Sequence, residues 1–266
     1  MASTSVSTEN SLIGKVALVS GSSSGIGAAI ARELSRRGAN VIVHYRSEGE
    51  KSQAEEVFKS LPGISKAFTV EADLSTLDGP RRLADACGTE FGRIDILVNN
   101  AGISEQSVLD CLDDKEIENT WDKIINVNGR GTLLLTRAVL KYLSPIHSRI
   151  INICSSTSRR PDPDMTIYAG SKGMIESFTR CWAVDLPHKY GCTVNAVAPG
   201  PVATEHMLNS PEDFLATIGK VIEQTPASPR MAKPEEVAWT VAVLCEEGAS
   251  WLNGLYIPVA GGLVFS

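Results

Sequence analysis

The chain has 266 residues, 43% of them hydrophobic and 21% charged, and a formal net charge of −6. That length suits one large α/β domain whose core is big enough to need no covalent staples. The acidic balance excludes a chain built to grip nucleic acid or anionic membranes, since both demand clustered Lys and Arg. One anionic cofactor needs only a local group of donors.

Residues 1–11 are polar and lack the apolar segment of a secretory signal, so they read as a disordered tail ahead of a single domain, 12–266. No run approaches the roughly 18 apolar residues of a membrane span. The six cysteines include no C-x-x-C pair, which fits a reducing compartment and predicts a cytoplasmic protein. His188 lies four positions before Cys192, but no second pair completes a zinc set, and no metal site is expected.

Strand-like and helix-like runs alternate along the chain. Lys15–Ser20 reads as a buried strand, and Ile26, Ile30 and Leu34 then recur at helical spacing until Gly38 ends that helix. Strand Asn40–His44, helix Ser52–Leu61, strand Lys66–Ala72, helix Leu77–Phe91 and strand Ile94–Asn99 follow. A long helix over Thr120–Leu143 leads to strand Arg149–Ile153, and a second over Thr166–Tyr190 leads to strand Thr193–Val197. Helix Pro234–Glu247, with proline at its first position, precedes strand Leu255–Val259. Such alternation predicts a Rossmann-like, doubly wound α/β fold: a parallel sheet with helices on both faces. The third strand has the mixed polarity of an edge strand. Pro201–Ser228 reads as a long irregular stretch with a short helix near Pro211–Gly219, and loops of that length are usually functional.

After the first strand comes Gly21-Ser22-Ser23-Ser24-Gly25-Ile26-Gly27, then a helix. Glycine permits the tight turn and a close backbone approach, and the helix N-terminus offers N–H groups to a diphosphate. This is a dinucleotide turn with the spacing G-x-x-x-G-x-G. The second strand runs into Tyr45-Arg46-Ser47, without the acid that would hold an NAD ribose. Arg46 can take a 2′-phosphate through paired charge-assisted bonds, with Ser47 as a further donor, so NADP(H) is expected.

Tyr168 and Lys172 are one helical turn apart and project from the same face. A neighbouring ammonium favours the phenolate and would lower the tyrosine pKa, making the pair a proton donor and acceptor. Alone the spacing is commonplace. Here Ser155 follows the fifth strand thirteen positions before Tyr168, Asn128 lies in the long helix before that strand, Asn100-Ala101-Gly102 follows the fourth and Pro199-Gly200 the sixth. Groups at strand ends collect on one edge of a parallel sheet, where such sheets bind ligands.

With these motifs the chain, from Gly14 to Gly262, resembles the short-chain dehydrogenase/reductase family in its single-domain subgroup. The resemblance implies strand order 3-2-1-4-5-6-7. It implies that Ser155 polarises the substrate oxygen and that Tyr168 moves the proton. Lys172 would hold the nicotinamide ribose and lower the tyrosine pKa, and Asn128 would anchor a water of a proton relay. Asp73 and Leu74 resemble the adenine-pocket pair, Asn100, Ala101 and Gly102 would line the cofactor groove, and Pro199, Gly200, Val202 and Thr204 would reach the nicotinamide or diphosphate. Family members usually pair the two long helices into dimers, often tetramers.

Several features depart from the family pattern. Cys154 stands where a serine is more usual, and reads as packing. Arg159-Arg160-Pro161-Asp162-Pro163-Asp164 joins the catalytic serine to the tyrosine and should overhang the substrate. Pro and Asp are turn residues, so a solvated turn explains it. Alternatively Asp162 or Asp164 meets a cationic substrate, with Arg130 and His206 as further candidate contacts. This loop resembles that of fungal secondary-metabolite reductases, including some that reduce imines in indole alkaloid pathways and a few that also guide a cycloaddition. Residues 201–228 resemble the family's substrate lid. His44, His147 and His188 receive no site role. The expected function is NADPH-dependent reduction of a carbonyl on a small molecule. Imine reduction is the alternative from the acidic loop, and a non-catalytic NADP(H)-binding scaffold is a third.

Overall fold

The computed structural model describes residues 10–62 and 66–266. Its sheet consists of β1 (Val16–Val19), β2 (Asn40–Tyr45), β3 (Ala67–Glu71), β4 (Ile96–Asn99), β5 (Ser148–Ile153), β6 (Cys192–Pro199) and β7 (Tyr256–Val259). The strands lie in the order β3-β2-β1-β4-β5-β6-β7 and every pairing is parallel, as the sequence pattern and the resemblance imply. β3 is the edge strand, which accounts for its mixed composition.

Alternate strand residues feed two cores because successive side chains point to opposite faces. Ala17, Val19, Val41 and Val43 pack with α1 (Gly25–Arg36), α2 (Lys51–Ser60) and α10 (Pro234–Cys245). Val16, Leu18 and Ile42 pack on the other face with α3 (Gly79–Phe91), α5 (Thr132–Val139) and the end of α6 (Thr166–Asp185). The chain leaves β1 towards β2 on one side and crosses to β4 on the other, so a cleft opens beyond the strand ends there.

Of the expected tail, residues 1–9 lie outside the described residues. Asn10 and Ser11 form a turn, Ser11 Oγ donates to Glu246 at 2.9 Å, and Leu12 is buried. Among the described residues, no helix is long and apolar enough to cross a membrane.

Three segments differ from the sequence reading. The helix expected at Thr120 begins earlier, as α4 (Asp114–Ile124), because Asp113 and Glu116 form a reciprocal capping box. It then widens into a π-helical turn over Ile125–Gly131 before α5, and Asn128 sits in that turn. Such π turns recur at functional sites. The second long helix stops at Asp185, and α7 (Pro187–Tyr190) is separate, since a proline cannot continue the hydrogen-bond ladder. Pro201–Ser228 is more ordered than expected: the short helix expected near Pro211–Gly219 is present but longer, and another precedes it. The segment folds as α8 (Glu205–Leu208), capped by the Thr204 side chain on Met207 N–H, and α9 (Glu212–Glu223). Phe214, Leu215, Ile218, Val221 and Ile222 carry the helical stripe of α9, which runs past Gly219, where the expected helix stopped.

Candidate active site

The phosphate end is set by backbone crowding. Gly21 turns with φ +61°, and a Cβ there would lie 2.9 Å from Ala101 Cα. A Cβ on Gly27 would lie 2.1 Å from Gly21 O, so the first turn of α1 packs against the loop only because both are glycine. Asn100 Nδ2 donates to Ser20 O and to Gly21 O at 2.9 Å each, and Ser20 Oγ accepts the N–H groups of Asn100 and Ala101 at 3.0 Å. The loops after β1 and β4 are therefore one clamped unit. Ser24 precedes α1 without a side-chain cap and the first turn carries no acid. The leading N–H groups of α1 thus have no side-chain competitor for an anion.

His44 holds this unit from below, a role its sequence position did not disclose. Its Nδ1 accepts the Gly21 N–H at 2.7 Å and its Nε2 lies 2.8 Å from Ala72 O. Nδ1 must be the acceptor and Nε2 the donor, so the ring is neutral. Burial pushes its pKa down to about 4, against the opposing bond to Ala72. The only legible signal was a polar residue inside an otherwise apolar strand.

At the far end Arg46 is exposed, and its Nη2 lies 3.2 Å from Glu50 Oε1 while its backbone N–H donates to Glu50 Oε2 at 3.1 Å. Glu50 and Gln53 line the cleft beside Arg46. The i, i+4 spacing of Arg46 and Glu50 was the missed signal. Asp73 Oδ1 accepts the Ser75 N–H at 2.8 Å, which fixes the turn after β3 next to Leu74.

At the chemical end Ser155 and Lys172 are buried and Tyr168 is half-buried at the cleft wall. Lys172 is 5% exposed, its Nζ donates to Ile153 O at 2.9 Å, and burial lowers its pKa. Burial pushes the Tyr168 hydroxyl up to about 12, a hydrogen bond with Ser155 opposing it and the charge of Asp162 adding to it. Burial sets the direction of the tyrosine shift, while the Lys172 ammonium lies 5.8 Å from the ring centroid and is engaged by Ile153 O. Ser155 Oγ accepts from Thr157 Oγ1 at 2.8 Å and from Thr157 N–H at 3.2 Å. Asn128 donates through Nδ2 to Ile103 O at 2.9 Å and Ser171 Oγ at 3.0 Å, and accepts the Ile103 N–H at 2.9 Å. Its side chain therefore fixes the β4 loop. The Cys154 thiol is pushed up by burial and lies 3.1 Å from Lys172 O, as a packing residue would.

These ends share one open cleft of about 760 Å³. Gly21, Ser23, Ser24, Gly25, Ile26, Gly27, Arg46, Asp73, Leu74, Asn100, Ala101, Gly102, Ser155, Tyr168, Lys172, Pro199, Gly200, Val202, Thr204 and His206 all line it. A dinucleotide fits this donor set: uncapped helix N–H groups at one point, a guanidinium at one end, an ammonium at the other. A Cβ on Gly102 would come within 3.3 Å of both Asn128 Oδ1 and Lys172 Nζ, so the groove floor is kept bare where a ribose would lie.

A family model described as enoyl-(acyl carrier protein) reductase matches residues 21–264. The short-chain dehydrogenase/reductase FrzI of a Cladobotryum species is 42% identical over 259 residues, covering 96% of this chain and 97% of that one. The chain belongs to the short-chain dehydrogenase/reductase family. It is an oxidoreductase of that type. Versicolorin reductase 1 of Dothistroma septosporum is 35% identical, covering 94% of this chain and 96% of its own. The crystal structure of a short-chain dehydrogenase from Burkholderia cenocepacia in complex with NADP superposes with a TM-score of 0.84 at 33% identity, over 96% of this chain and 99% of that one.

Other residues that the sequence pointed to stand elsewhere in this family fold. Tyr45 is 7% exposed and packs in the α1 and α2 core, because the strand pleat turns it away from the cleft. Ser47 heads the turn Glu48–Glu50, its carbonyl accepting the Glu50 N–H, and does not line the cleft. Arg130 leaves the π turn towards the Ser75 carbonyl, which accepts from its Nη2, so it braces the β3 loop and does not reach the substrate region. Asp164 adopts φ +61° and its carbonyl takes the Ser107 N–H at 2.6 Å; its part is to pin the start of α6. Asp162 is half-buried and does not line the cleft, and its charge adds a minor part to the raised Tyr168 pKa. Burial raises the Asp162 pKa, Arg160 opposes this, and among the described residues the acid has no hydrogen bond or ion pair. No group of His, Cys, Asp and Glu side chains among the described residues is arranged as a metal site.

Proposed function

We propose that the chain reduces a carbonyl of a small, secondary-metabolite-type substrate with NADPH, Tyr168 giving the proton. The observation that carries this reading is the Tyr168 hydroxyl itself, facing the cleft beside Ser155 with its pKa pushed up to about 12. Such a phenol keeps its proton at neutral pH and yields it only to a strong base, the alkoxide that forms as a carbonyl carbon is reduced. When bound, NADPH supplies the hydride. The chain's own contribution is orientation, charge and a proton. Ser155 Oγ and Tyr168 Oη point two donors at the substrate oxygen and stabilise its growing charge. Lys172 holds the ribose and places a cation near the tyrosinate that remains. Asn128 fixes Ile103 and with it the groove wall, and the same turn would anchor the family's relay water.

Arg46 supports NADP(H) over NAD(H), as does the relative crystallised with NADP. Reduction of C=N is the second reading. An unpaired, half-buried carboxylate at Asp162 would favour an iminium cation near Tyr168. Cysteine chemistry supports a cytoplasmic setting, and exposed Trp121, Leu133 and Val184 on α4, α5 and α6 support pairing of those helices in a dimer or tetramer. The test is NADPH consumption across a panel of ketones and cyclic imines, with fluorescence titration of NADPH and NADH. Turnover of a ketone with NADPH preferred is the expected result. Binding of neither nucleotide would overturn the reading, and turnover confined to imines that Asp162→Asn abolishes would replace it with the second.

A further inference from the structure

Beyond the cleft, the last strand touches the serine loop. Tyr256 in β7 is 8% exposed and does not line the cleft. Its hydroxyl donates to Ser155 O at 3.0 Å, and Ser158 Oγ donates to the same carbonyl at 2.9 Å. The Ser158 N–H donates to this carbonyl too, at 3.1 Å, so three donors share its two lone pairs, and Tyr256 is the one that comes from outside the serine loop. The holders are themselves held. The Arg159 guanidinium lies 3.9 Å over the Tyr256 ring, and Arg159 Nη2 donates to Glu176 Oε1 at 2.9 Å. Arg180 donates to the same oxygen at 2.7 Å, and Ser158 Oγ lies 3.3 Å from Glu176 Oε2. Burial alone would raise the Glu176 pKa, but the two guanidinium bonds together hold it low, so the carboxylate stays charged and the bracket stays closed at neutral pH.

Ser155 Oγ is held by Thr157 and its carbonyl by Ser158, both within the same short loop, so the bracket matters because Tyr256 ties that loop to the sheet. Ser155 sits in extended backbone as the strand ends, with φ −160° and ψ 148°, immediately before a single turn of 3-10 helix over Ser156–Ser158. A short turn at a strand end is a soft element, and an ångström of drift at a reacting group costs about 100-fold in rate. We propose that Tyr256 is a positioning residue for the reduction: its hydroxyl fixes the Ser155 main chain and so aims Ser155 Oγ at the substrate oxygen. This rests on the role given above to Ser155. Tyr256 touches neither substrate nor cofactor and acts only through the serine.

That dependence is testable by a double-mutant cycle, since groups acting through one another are not additive. Tyr256→Phe keeps the ring, the Arg159 contact and the volume, and removes one hydroxyl. With NADPH and phenanthrenequinone, Tyr256→Phe should lower kcat about 10-fold and leave the Kd for NADPH unchanged. In the Ser155→Ala background the same substitution should change kcat less than about twofold, because no hydroxyl is left to aim. An equal loss in both backgrounds would make Tyr256 merely structural and overturn the proposal, as would full kcat in Tyr256→Phe alone. Ser155→Ala with undiminished kcat would overturn the role of Ser155 first, a failure that the single variant identifies by itself.

Discussion

The two ends of the cleft run on opposite electrostatics. At the Tyr168 end, burial dominates: the phenol is pushed up, the lysine down, and each hydrogen bond is made in a medium that cannot substitute for it. At the Arg46 end the guanidinium is 59% exposed and its partner Glu50 is 30% exposed, where ion pairs are screened and contribute about 0–1 kcal/mol. The difference separates what the fold must keep from what it can tune. On the proposed reading, chemistry would reside where burial is greatest and single atoms matter, and cofactor choice where charges exchange partners at low cost.

Substitutions sharpen that contrast in order of size. Lys172→Met removes the buried ammonium from beside Tyr168 and the ribose region, and kcat should fall by about 100-fold or more, with weaker NADPH binding by fluorescence titration. Gly27→Ala forces a Cβ against Gly21 O and should cost about 1–3 kcal/mol in urea unfolding while abolishing tight nucleotide binding. His44→Phe fills the space but orphans the Gly21 N–H, for about 1–3 kcal/mol. Smallest is the exposed pair. Arg46→Ala should weaken NADPH several-fold and spare NADH, whereas Glu50→Gln should tighten NADPH by about twofold to fivefold by freeing the guanidinium. If either exposed substitution rivalled Lys172→Met, the contrast between the ends would be wrong.

His44 also gives the contrast a pH signature. Its folded value of about 4 lies below the ordinary 6.5, so the unfolded chain takes the proton more readily. Its contribution is complete above about pH 6.5 and is lost as pH falls towards about 4, a span worth about 3 kcal/mol. Urea unfolding at about pH 7 and about pH 4.5 should show that loss, and His44→Phe should lack this component.

What the sequence disclosed follows the same division. Strand and helix periods and most residues that line the cleft were legible because they depend on spacing along the chain: Gly21 to Gly27, Ser155 to Tyr168 to Lys172. The strand order came with the family that those spacings mark. What stayed hidden depends on direction and solvent. Tyr45 and Arg130 lie at suggestive positions, but the pleat turns one into the core and the π turn sends the other to Ser75. The tyrosine pKa could not be reasoned from a neighbouring lysine, because the cost of burial is a property of the whole fold. His44 and Tyr256 were invisible as site residues since their partners, Gly21 and Ser155, are far from them in sequence, whereas Glu50 was overlooked despite its i, i+4 spacing to Arg46. Helix α9 was legible as far as Gly219, and the glycine hid its last turn to Glu223.

The most direct test of Tyr168 as the proton donor is Tyr168→Phe assayed with NADPH and a ketone beside a titration of NADPH affinity. With the proton donor gone, kcat should drop by about 100-fold to 10,000-fold while the Kd for NADPH stays within about twofold, since only the donated proton is lost. Full carbonyl reduction by Tyr168→Phe would contradict that role.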